Sequence, residues 1–267
     1  MSLLGDVRRI TKNSFGRRKG TRMHDTAMKY GGAFVSTYLP NTPGLTVIDI
    51  GAQDFCGSLK GHMRAGDKYI GVDFVGGPNV DVVMSDPYKL PFDDESIDAV
   101  LCSSCFEHSE FFWELFVEMV RVLKPTGLIY LNVPSNGAFH RYPVDCWRFY
   151  PDSGRALERW AKRKGYNPVM LESFTGVQEG DVWNDFVAVF VKDELHASLY
   201  PRRMQDVIGP YRNGFVHGSE SIRNEELFPE DIFLGPLKRA RRNLKLYWKF
   251  NPLPQKVVGK IKSLVSQ

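Results

Sequence analysis

Apolar and polar positions along the chain follow two alternating patterns. Short apolar runs, typical of buried strands, alternate with longer segments in which apolar residues recur every three or four positions, as on one helix face. The strand-like runs are 45–50, 68–73, 80–85, 98–103, 127–133, 168–174 and 185–191. The helix-like segments are 24–39, 109–123 and 152–164. This alternation predicts an α/β fold with a doubly wound, mostly parallel sheet.

Towards the C-terminus the regular alternation of strands and helices is lost. A polar loop, TGVQEGDVWN, joins the last two predicted strands without a helix, so the last strand is expected to be antiparallel. After about residue 195 the periodicity decays, and only 237–250 (LKRARRNLKLYWKF) has the pattern of a basic amphipathic helix. We therefore predict three parts: a basic arm over 1–29, the α/β domain over 30–195, and a basic C-terminal appendage over 196–267.

Charge supports this division. The formal net charge is +4, but residues 1–29 carry eight Lys/Arg and two Asp, and residues 232–267 carry nine Lys/Arg and no acid. The intervening body is therefore acidic, with a net charge of −11. Basic ends can meet anionic lipid, phosphate or nucleic acid, or be simply solvated. For the appendage, the roles of lid, dimer contact and peripheral contact with an anionic membrane stay open.

Several protein classes are disfavoured by the composition. No apolar run approaches the ~20 residues of a membrane span, and the first residues, MSLLGDVRRITKN, contain no apolar signal region. Four cysteines suggest a reduced compartment, so a cytoplasmic protein is expected. Cys102 and Cys105 spell C-x-x-C, but four strand-like segments precede them, which is the wrong context for a thioredoxin-like dithiol.

Acidic residues follow three successive predicted strands. Asp49 and Gly51 end the first, Asp73 ends the second, and Asp86 follows the third. Ligands of open parallel sheets bind at the carboxyl ends of the strands, where crowded carboxylates need hydrogen-bond donors. A nucleoside supplies them. Asp73 would bind both ribose hydroxyls, and Asp86 or a neighbouring backbone group would accept from the adenine amine, with Phe74 beside the ring.

At these residues the chain resembles the class I S-adenosylmethionine-dependent methyltransferases. The matching segments are VIDIGAQDFCG, YIGVDFVGG, MSDPYKLPFDDESIDAVLCSSCFEH and VRVLKPTGLIYLNVPS. The resemblance covers about 30–192 and implies a Rossmann-like sheet of seven strands with an antiparallel last strand. It implies S-adenosylmethionine as cofactor and S-adenosylhomocysteine as product. The predicted cofactor-binding residues are Asp49, Gly51, Gln53, Asp73, Phe74, Asp86, Pro87 and Ser103.

The first loop departs from the family pattern D/E-x-G-x-G-x-G. Only Gly51 is retained, while Gln53 and Phe55 stand at the other glycine positions and Gly57 comes later. The loss of glycines counts against NAD, because a pyrophosphate needs close approach of the backbone. We therefore interpret the segment as a methyl-donor loop with altered contacts.

The segment after the fifth strand, PSNGAFHRYPVDCWRFYPDSG, resembles methyltransferases of bacterial polysaccharide and glycoconjugate biosynthesis. Aromatic faces with charged groups suit a polyhydroxylated acceptor, so O-methylation of a saccharide is expected. The alternative is a loop pinned by Arg–Asp pairs and aromatic packing. The predicted acceptor-binding residues are Arg141, Tyr142, Trp147, Arg148 and Trp183. The sequence Ser-Ser-Cys-Phe after strand four replaces the [DN]-P-P-[YFW] of nucleic-acid amino methyltransferases, which argues against a sequence-specific nucleic-acid partner.

A hydroxyl acceptor needs a base, for which His108 and His140 are the candidates. Asp145 would orient His140, or the two would form half of a divalent metal site; without a third ligand at a recognisable spacing, no metal is predicted. Two other functions stay open: methylation of a phenolic or other small natural product, and a degenerate methyltransferase fold that binds RNA or a partner protein.

Overall fold

The computed structural model describes residues 25–53, 57–180, 182–227 and 244. Its helices and strands, in chain order, are α1 (Asp25–Tyr38), β1 (Thr46–Ile50), β2 (Lys68–Asp73), β3 (Val82–Val83), β4 (Ile97–Ser103), α2 (Phe112–Val122), β5 (Leu123–Pro134), α3 (Ser153–Arg163), β6 (Val169–Gly176), β7 (Asp185–Val191) and β8 (Tyr211–Val216). Short 3-10 helices connect several of these elements.

The strands form one sheet in the order β3-β2-β1-β4-β5-β7-β6-β8. The five strands from β3 to β5 pair in parallel, and β7 is antiparallel to both β5 and β6. The Rossmann-like, mostly parallel sheet with an antiparallel last predicted strand is thereby confirmed. No helix among the described residues is long and apolar enough to cross a membrane.

The sheet has eight strands rather than the seven expected, because β8 pairs antiparallel with β6 at the sheet edge. Its sequence, YRNGFV, carries Arg212, Asn213 and Gly214 at its centre, so it lacks the apolar pattern that revealed the other strands. Strand three is shorter than expected, with Val82–Val83 paired in place of 80–85.

Both faces of the sheet are covered. On one face, α1 packs its aromatic residues on the central strands: the Phe34 and Tyr130 ring centroids lie 5.0 Å apart, and those of Tyr30 and Phe174 5.3 Å. On the other face, α2 and α3 bury their apolar positions, with Phe116 of α2 against Phe190 of β7 at 5.0 Å. Near-continuous apolar strands are the expected result of this double coverage.

A buried carboxylate attaches the segment after β7 to the sheet. Glu172 on β6 accepts hydrogen bonds from the Tyr38 hydroxyl at 2.6 Å and from the backbone N–H groups of Met204 (2.5 Å) and Gln205 (3.1 Å). The Gln205 side chain in turn donates to the backbone of Ser173 and Phe215. Residues 196–226, predicted as part of an appendage, are thus integrated with the α/β domain.

The chain divides into two compact units, 1–226 and 227–267. Nearly all described residues belong to the first unit, and α1 begins within the predicted basic arm 1–29. The rest of that arm, loop residues 54–56 and the predicted helix 237–250 lie outside the described residues, except for Leu244, which is helical.

Candidate active site

Asp73 ends β2 and lies near Asp49, which is paired with Gly71 close to the carboxyl end of β1. Asp49 accepts a hydrogen bond from the Tyr69 hydroxyl at 2.6 Å, and Asp73 accepts from the backbone N–H groups of Val75 (3.1 Å) and Gln53 (3.4 Å). Burial raises the pKa of Asp49 to about 7; the Tyr69 hydrogen bond opposes this rise and the nearby Asp73 carboxylate adds to it. Burial also raises the pKa of Asp73.

The chain turns sharply after β1 at Gly51, where φ is +79°. A Cβ at this position would lie 2.9 Å from the Cβ of Cys105, so the turn requires both glycine's freedom at positive φ and its small volume. Cys105 therefore packs against the cofactor loop, and both thiols of the C-x-x-C sequence, Cys102 and Cys105, are free. The single glycine retained from the family pattern has a clear steric reason.

Gln53 connects three loops. Its side-chain amide donates to the Gly76 carbonyl at 3.3 Å in the loop after β2. Its carbonyl oxygen accepts from the Tyr142 hydroxyl at 2.7 Å, which joins the loop after β5 to the cofactor loop. Burial, followed by the nearby Asp73 carboxylate, raises the pKa of Tyr142 to about 12. Tyr142 was predicted to contact the acceptor, but its hydroxyl is hydrogen-bonded to Gln53 of the cofactor loop.

The remaining cofactor candidates differ in exposure. Asp86 is exposed and accepts a hydrogen bond from the Tyr88 N–H at 2.9 Å, so it caps the turn after β3. Phe74 is partly exposed beside Asp73, and Pro87 is exposed. The Ser103 hydroxyl, buried at the end of β4, has no hydrogen-bond partner among the described residues. Their roles toward a cofactor stay predictions.

A small cavity of about 40 Å³ opens beyond the ends of β4 and β5. It is lined by Ser104, Glu107, His108, Pro134, His140, Trp183 and Asp185. Both candidate bases therefore contact the same cavity, together with one predicted acceptor residue, Trp183. The volume suffices for a few water molecules or one reacting group.

His108 is held in one tautomer. Its Nδ1 lies 2.5 Å from the Val144 carbonyl oxygen. Because a carbonyl only accepts, Nδ1 carries the proton and Nε2 keeps a lone pair. That Nε2 lies 3.8 Å from Oε1 of Glu107. Burial lowers the pKa of His108, so the ring is neutral at pH 7 and can accept a proton.

Asp145 bonds mainly to Arg148, with two contacts of 2.6 and 2.9 Å, and to the backbone N–H of His140 at 2.7 Å. Burial alone would raise the pKa of Asp145, but these hydrogen bonds and the guanidinium charge hold it at about 2. The His140 ring donates from Nδ1 to the Ala138 carbonyl at 3.0 Å, with Asp145 farther away at 3.5 Å. Asp145 thus shapes the loop more than it orients the His140 ring.

The predicted acceptor residues are not all brought together. The Trp183 ring stands edge-on to His140 at 5.0 Å and covers Gly137, where a Cβ would clash with the indole. The Arg148 guanidinium lies 5.9 Å from the Trp183 ring. By contrast, the Trp147 indole donates to the Ser109 carbonyl at 3.0 Å and packs on α2, and the Nε of the exposed Arg141 donates to Pro143 at 3.1 Å.

Glu107 lines the cavity and was missed by the sequence analysis. Its side chain is only 2% exposed, and its Oε2 has no hydrogen-bond partner among the described residues. Burial raises the pKa of Glu107 to about 8, opposed in part by the Arg148 charge. Its position directly before His108 was the one available signal.

Comparison with known proteins gives one consistent family. A family model described as a methyltransferase domain matches residues 55–131. An uncharacterized methyltransferase of Mycobacterium tuberculosis is 30% identical over 181 residues, which span 62% of this chain and 69% of the relative. An uncharacterized methyltransferase of Mycolicibacterium paratuberculosis is 28% identical over 184 residues, spanning 62% and 71% of the two chains.

Two solved structures are examples of similar proteins. The 1,6-didemethyltoxoflavin-N1-methyltransferase of Burkholderia thailandensis has a TM-score of 0.48 at 17% identity, covering 71% of this chain and 84% of its own. A putative sarcosine dimethylglycine methyltransferase from Galdieria sulphuraria has a TM-score of 0.49 at 14% identity, covering 71% and 99%.

The sheet order and the acidic strand ends define a Rossmann-like methyltransferase domain. The chain belongs to the methyltransferase family, and it is a class I S-adenosylmethionine-dependent methyltransferase as the sequence predicts. S-adenosylmethionine is accordingly its cofactor. The acceptor and the resemblance to polysaccharide biosynthesis are matters of proposal.

Proposed function

We propose that the enzyme transfers a methyl group from S-adenosylmethionine to a hydroxyl of a saccharide or glycoconjugate intermediate. The observation that carries this proposal is the neutral His108 ring at the cavity beyond β4 and β5, with an unprotonated Nε2. A hydroxyl acceptor requires removal of a proton, and a histidine in this state can accept it. Trp183 supplies an apolar wall to the same cavity.

The residues at the carboxyl ends of β1, β2 and β4 suit the cofactor. Asp73 would bind the ribose hydroxyls, and Gly51 would let the backbone approach. The Ser103 hydroxyl, which has no hydrogen-bond partner within the described part of the chain, would offer a further polar contact. Phe74 and Asp86 would contact the adenine. When bound, the cofactor supplies an electrophilic methyl group on a sulfonium.

His108 would act on the acceptor as the methyl group is transferred. As the acceptor oxygen forms its bond to the methyl carbon, the O–H proton passes to Nε2 of His108. The carbon–sulfur bond breaks with its electron pair on sulfur, which leaves S-adenosylhomocysteine and a methyl ether. General-base assistance of this kind contributes roughly 10²–10⁴-fold to a rate.

A saccharide is favoured by the composition of the loop between β5 and α3. Its aromatic residues Phe139, Trp147 and Tyr150 are exposed, and Phe139 is 74% exposed. Exposed aromatic faces can cover sugar C–H groups, while charged neighbours bond hydroxyls. The cavity admits only the reacting group, so the rest of the acceptor would lie along this loop.

The test is methyl transfer from labelled S-adenosylmethionine to candidate glycans and, in parallel, to phenolic acceptors. His108→Gln should lower kcat by about 10²–10⁴-fold while cofactor affinity by isothermal titration stays unchanged. His217→Gln, an exposed histidine after β8, is the matched control. Label entering only phenols would favour the small-molecule alternative, and absence of any heat with S-adenosylmethionine would favour the degenerate binding module.

We also propose that the basic C-terminus makes a peripheral contact with anionic membranes. Its support is the run of nine Lys/Arg without an acid over 232–267. Binding to anionic vesicles should weaken as salt rises. An equal affinity for neutral vesicles, or no binding, would contradict the contact.

A further inference from the structure

Three side chains at the cavity converge as metal ligands do. Glu107, His108 and His140 each offer one ligand atom, and these three atoms all lie within 4.8 Å of one another. Around a tetrahedral zinc ion with bonds of about 2.0–2.1 Å, ligand atoms are roughly 3.4 Å apart. The Glu107 Oε1 and His108 Nε2 atoms are already at 3.8 Å.

In both histidines, one ring nitrogen is hydrogen-bonded to a backbone carbonyl oxygen. Nδ1 of His108 bonds to the Val144 carbonyl, and Nδ1 of His140 to the Ala138 carbonyl. Since a carbonyl oxygen accepts, each Nδ1 carries a proton, which leaves Nε2 as the ring nitrogen that can bind a metal. Metal-binding histidines characteristically donate their other N–H to a carbonyl or carboxylate, which fixes the tautomer and the ring orientation.

Glu107 supplies the independent indication of a ligand. Glu107 lines the cavity, yet its side chain is only 2% exposed. Its Oε2 has no hydrogen-bond partner among the described residues. A buried carboxylate that lacks donors is costly, and coordination of a cation by one of its two oxygens offsets that cost.

The cavity can also accommodate an ion. A cavity of about 40 Å³ has room for an ion and a bound oxygen.

We propose that Glu107, His108 and His140 form a binding site for a divalent transition metal ion such as Zn²⁺. Two imidazoles and one carboxylate are the ligands of catalytic zinc and of related open metal sites. Three protein ligands leave at least one coordination position for an oxygen of the acceptor.

The catalytic consequence of this site rests on the proposed function. A hydroxyl bound to the ion would lose its proton at a lower pH than a free hydroxyl. With Nε2 of His108 bound to the metal, the proton would pass to the second oxygen of Glu107. The methyl carbon then bonds to the acceptor oxygen as its bond to sulfur breaks. The metal would thus change His108 from base to ligand.

Metal binding can be measured without cofactor or acceptor. The full chain, stripped with a chelator and dialysed, would be titrated with Co²⁺ by visible absorption and with Zn²⁺ by calorimetry. We expect one saturable equivalent, and loss of about tenfold or more in affinity for Glu107→Gln and for His140→Gln. His217→Gln should bind as the wild type does. A Zn²⁺-induced rise in Tm, present in the wild type and absent in Glu107→Gln, gives a second measure.

The outcomes separate this site from the methyl-transfer proposal. No saturable binding, unchanged affinity in both variants, or a thiolate charge-transfer band that points to the cysteines would overturn the metal site. His140 is partly exposed, so His140→Gln decides the matter if Glu107→Gln does not fold. Methyl transfer that persists in the chelated enzyme without metal binding defeats only the metal site. Metal binding without transfer to any acceptor defeats only the proposed function.

Discussion

The Tyr142 hydroxyl donates a hydrogen bond of 2.7 Å to the Gln53 side chain across 89 positions of sequence. Gln53 belongs to the loop after β1, and Tyr142 to the loop after β5. The bond therefore links the cofactor loop to the loop that carries His140. It places a tyrosine predicted to bind the acceptor where it can close the cofactor side instead.

Tyr142→Phe should weaken cofactor binding. The change removes one partly exposed hydrogen bond, worth about 1 kcal/mol, so Kd for S-adenosylmethionine should rise roughly fivefold. Isothermal titration measures this directly. Tyr150→Phe, on the same loop and exposed, is the control and should leave Kd unchanged. An unaltered Kd for Tyr142→Phe would mean that the link does not support the cofactor loop.

Asp73→Asn should reduce cofactor affinity by more than tenfold. The Val75 and Gln53 N–H groups bond to different carboxylate oxygens, so the asparagine keeps an acceptor for only one of them. It also removes the charge expected to bind the ribose hydroxyls. Calorimetry with S-adenosylmethionine and with S-adenosylhomocysteine would test it, with circular dichroism to confirm folding. Asp86→Asn should have a smaller effect because Asp86 is exposed. If Asp73→Asn binds S-adenosylmethionine as tightly as the wild type does, Asp73 does not bind the ribose.

Asp49 should make the stability of the cofactor-free protein depend on pH. Its pKa is about 7 in the folded state against an ordinary 3.8, so the folded state binds the proton more tightly. Its stabilising contribution is present below about pH 4 and is lost as pH rises to about 7, by roughly 4 kcal/mol. Asp49→Asn should remove this fall. Urea unfolding at several pH values measures it, and parallel curves for both proteins would contradict it.

Tyr38→Phe should destabilise the fold by about 1–2 kcal/mol, because the buried Glu172 loses a hydroxyl donor while the ring packing is kept. Denaturant unfolding gives the difference. Tyr166→Phe, at a partly exposed position, provides the comparison. If both variants lose the same free energy of unfolding, the Tyr38–Glu172 hydrogen bond does not stabilise the fold more than the partly exposed Tyr166 hydroxyl does.

Sequence patterns predicted most of the sheet because buried strands need apolar runs. The same runs placed Asp49 and Asp73 at strand ends, and their role toward the cofactor stays a prediction. β8 was missed since its buried centre is polar: Asn213 is 6% exposed and its side chain donates a hydrogen bond to the Glu226 carbonyl. This strand forms because it pairs with β6, and a single sequence does not reveal such pairing.

The candidate site was predictable only where position along a strand decides it. Glu107 stands in a short 3-10 helix, Phe106–His108, without a periodic signal, and only folding of the distant 134–150 loop brings His140 beside it. Asp145 was expected to orient His140, and Arg148 to bind the acceptor. At i,i+3 spacing they pair with each other, as the alternative of a loop pinned by Arg–Asp pairs predicts. Loop conformation, rather than composition, determined these contacts.

The edge strand β8 sets a practical limit on how far the protein can be shortened for crystallisation or assay. A fragment ending at residue 195 would retain the proposed cofactor and acceptor residues. It would nevertheless leave the hydrogen-bonding edge of β6 bare and deprive Glu172 of its two backbone donors. Bare edges recruit other strands and promote aggregation, so fragments should extend through residue 226.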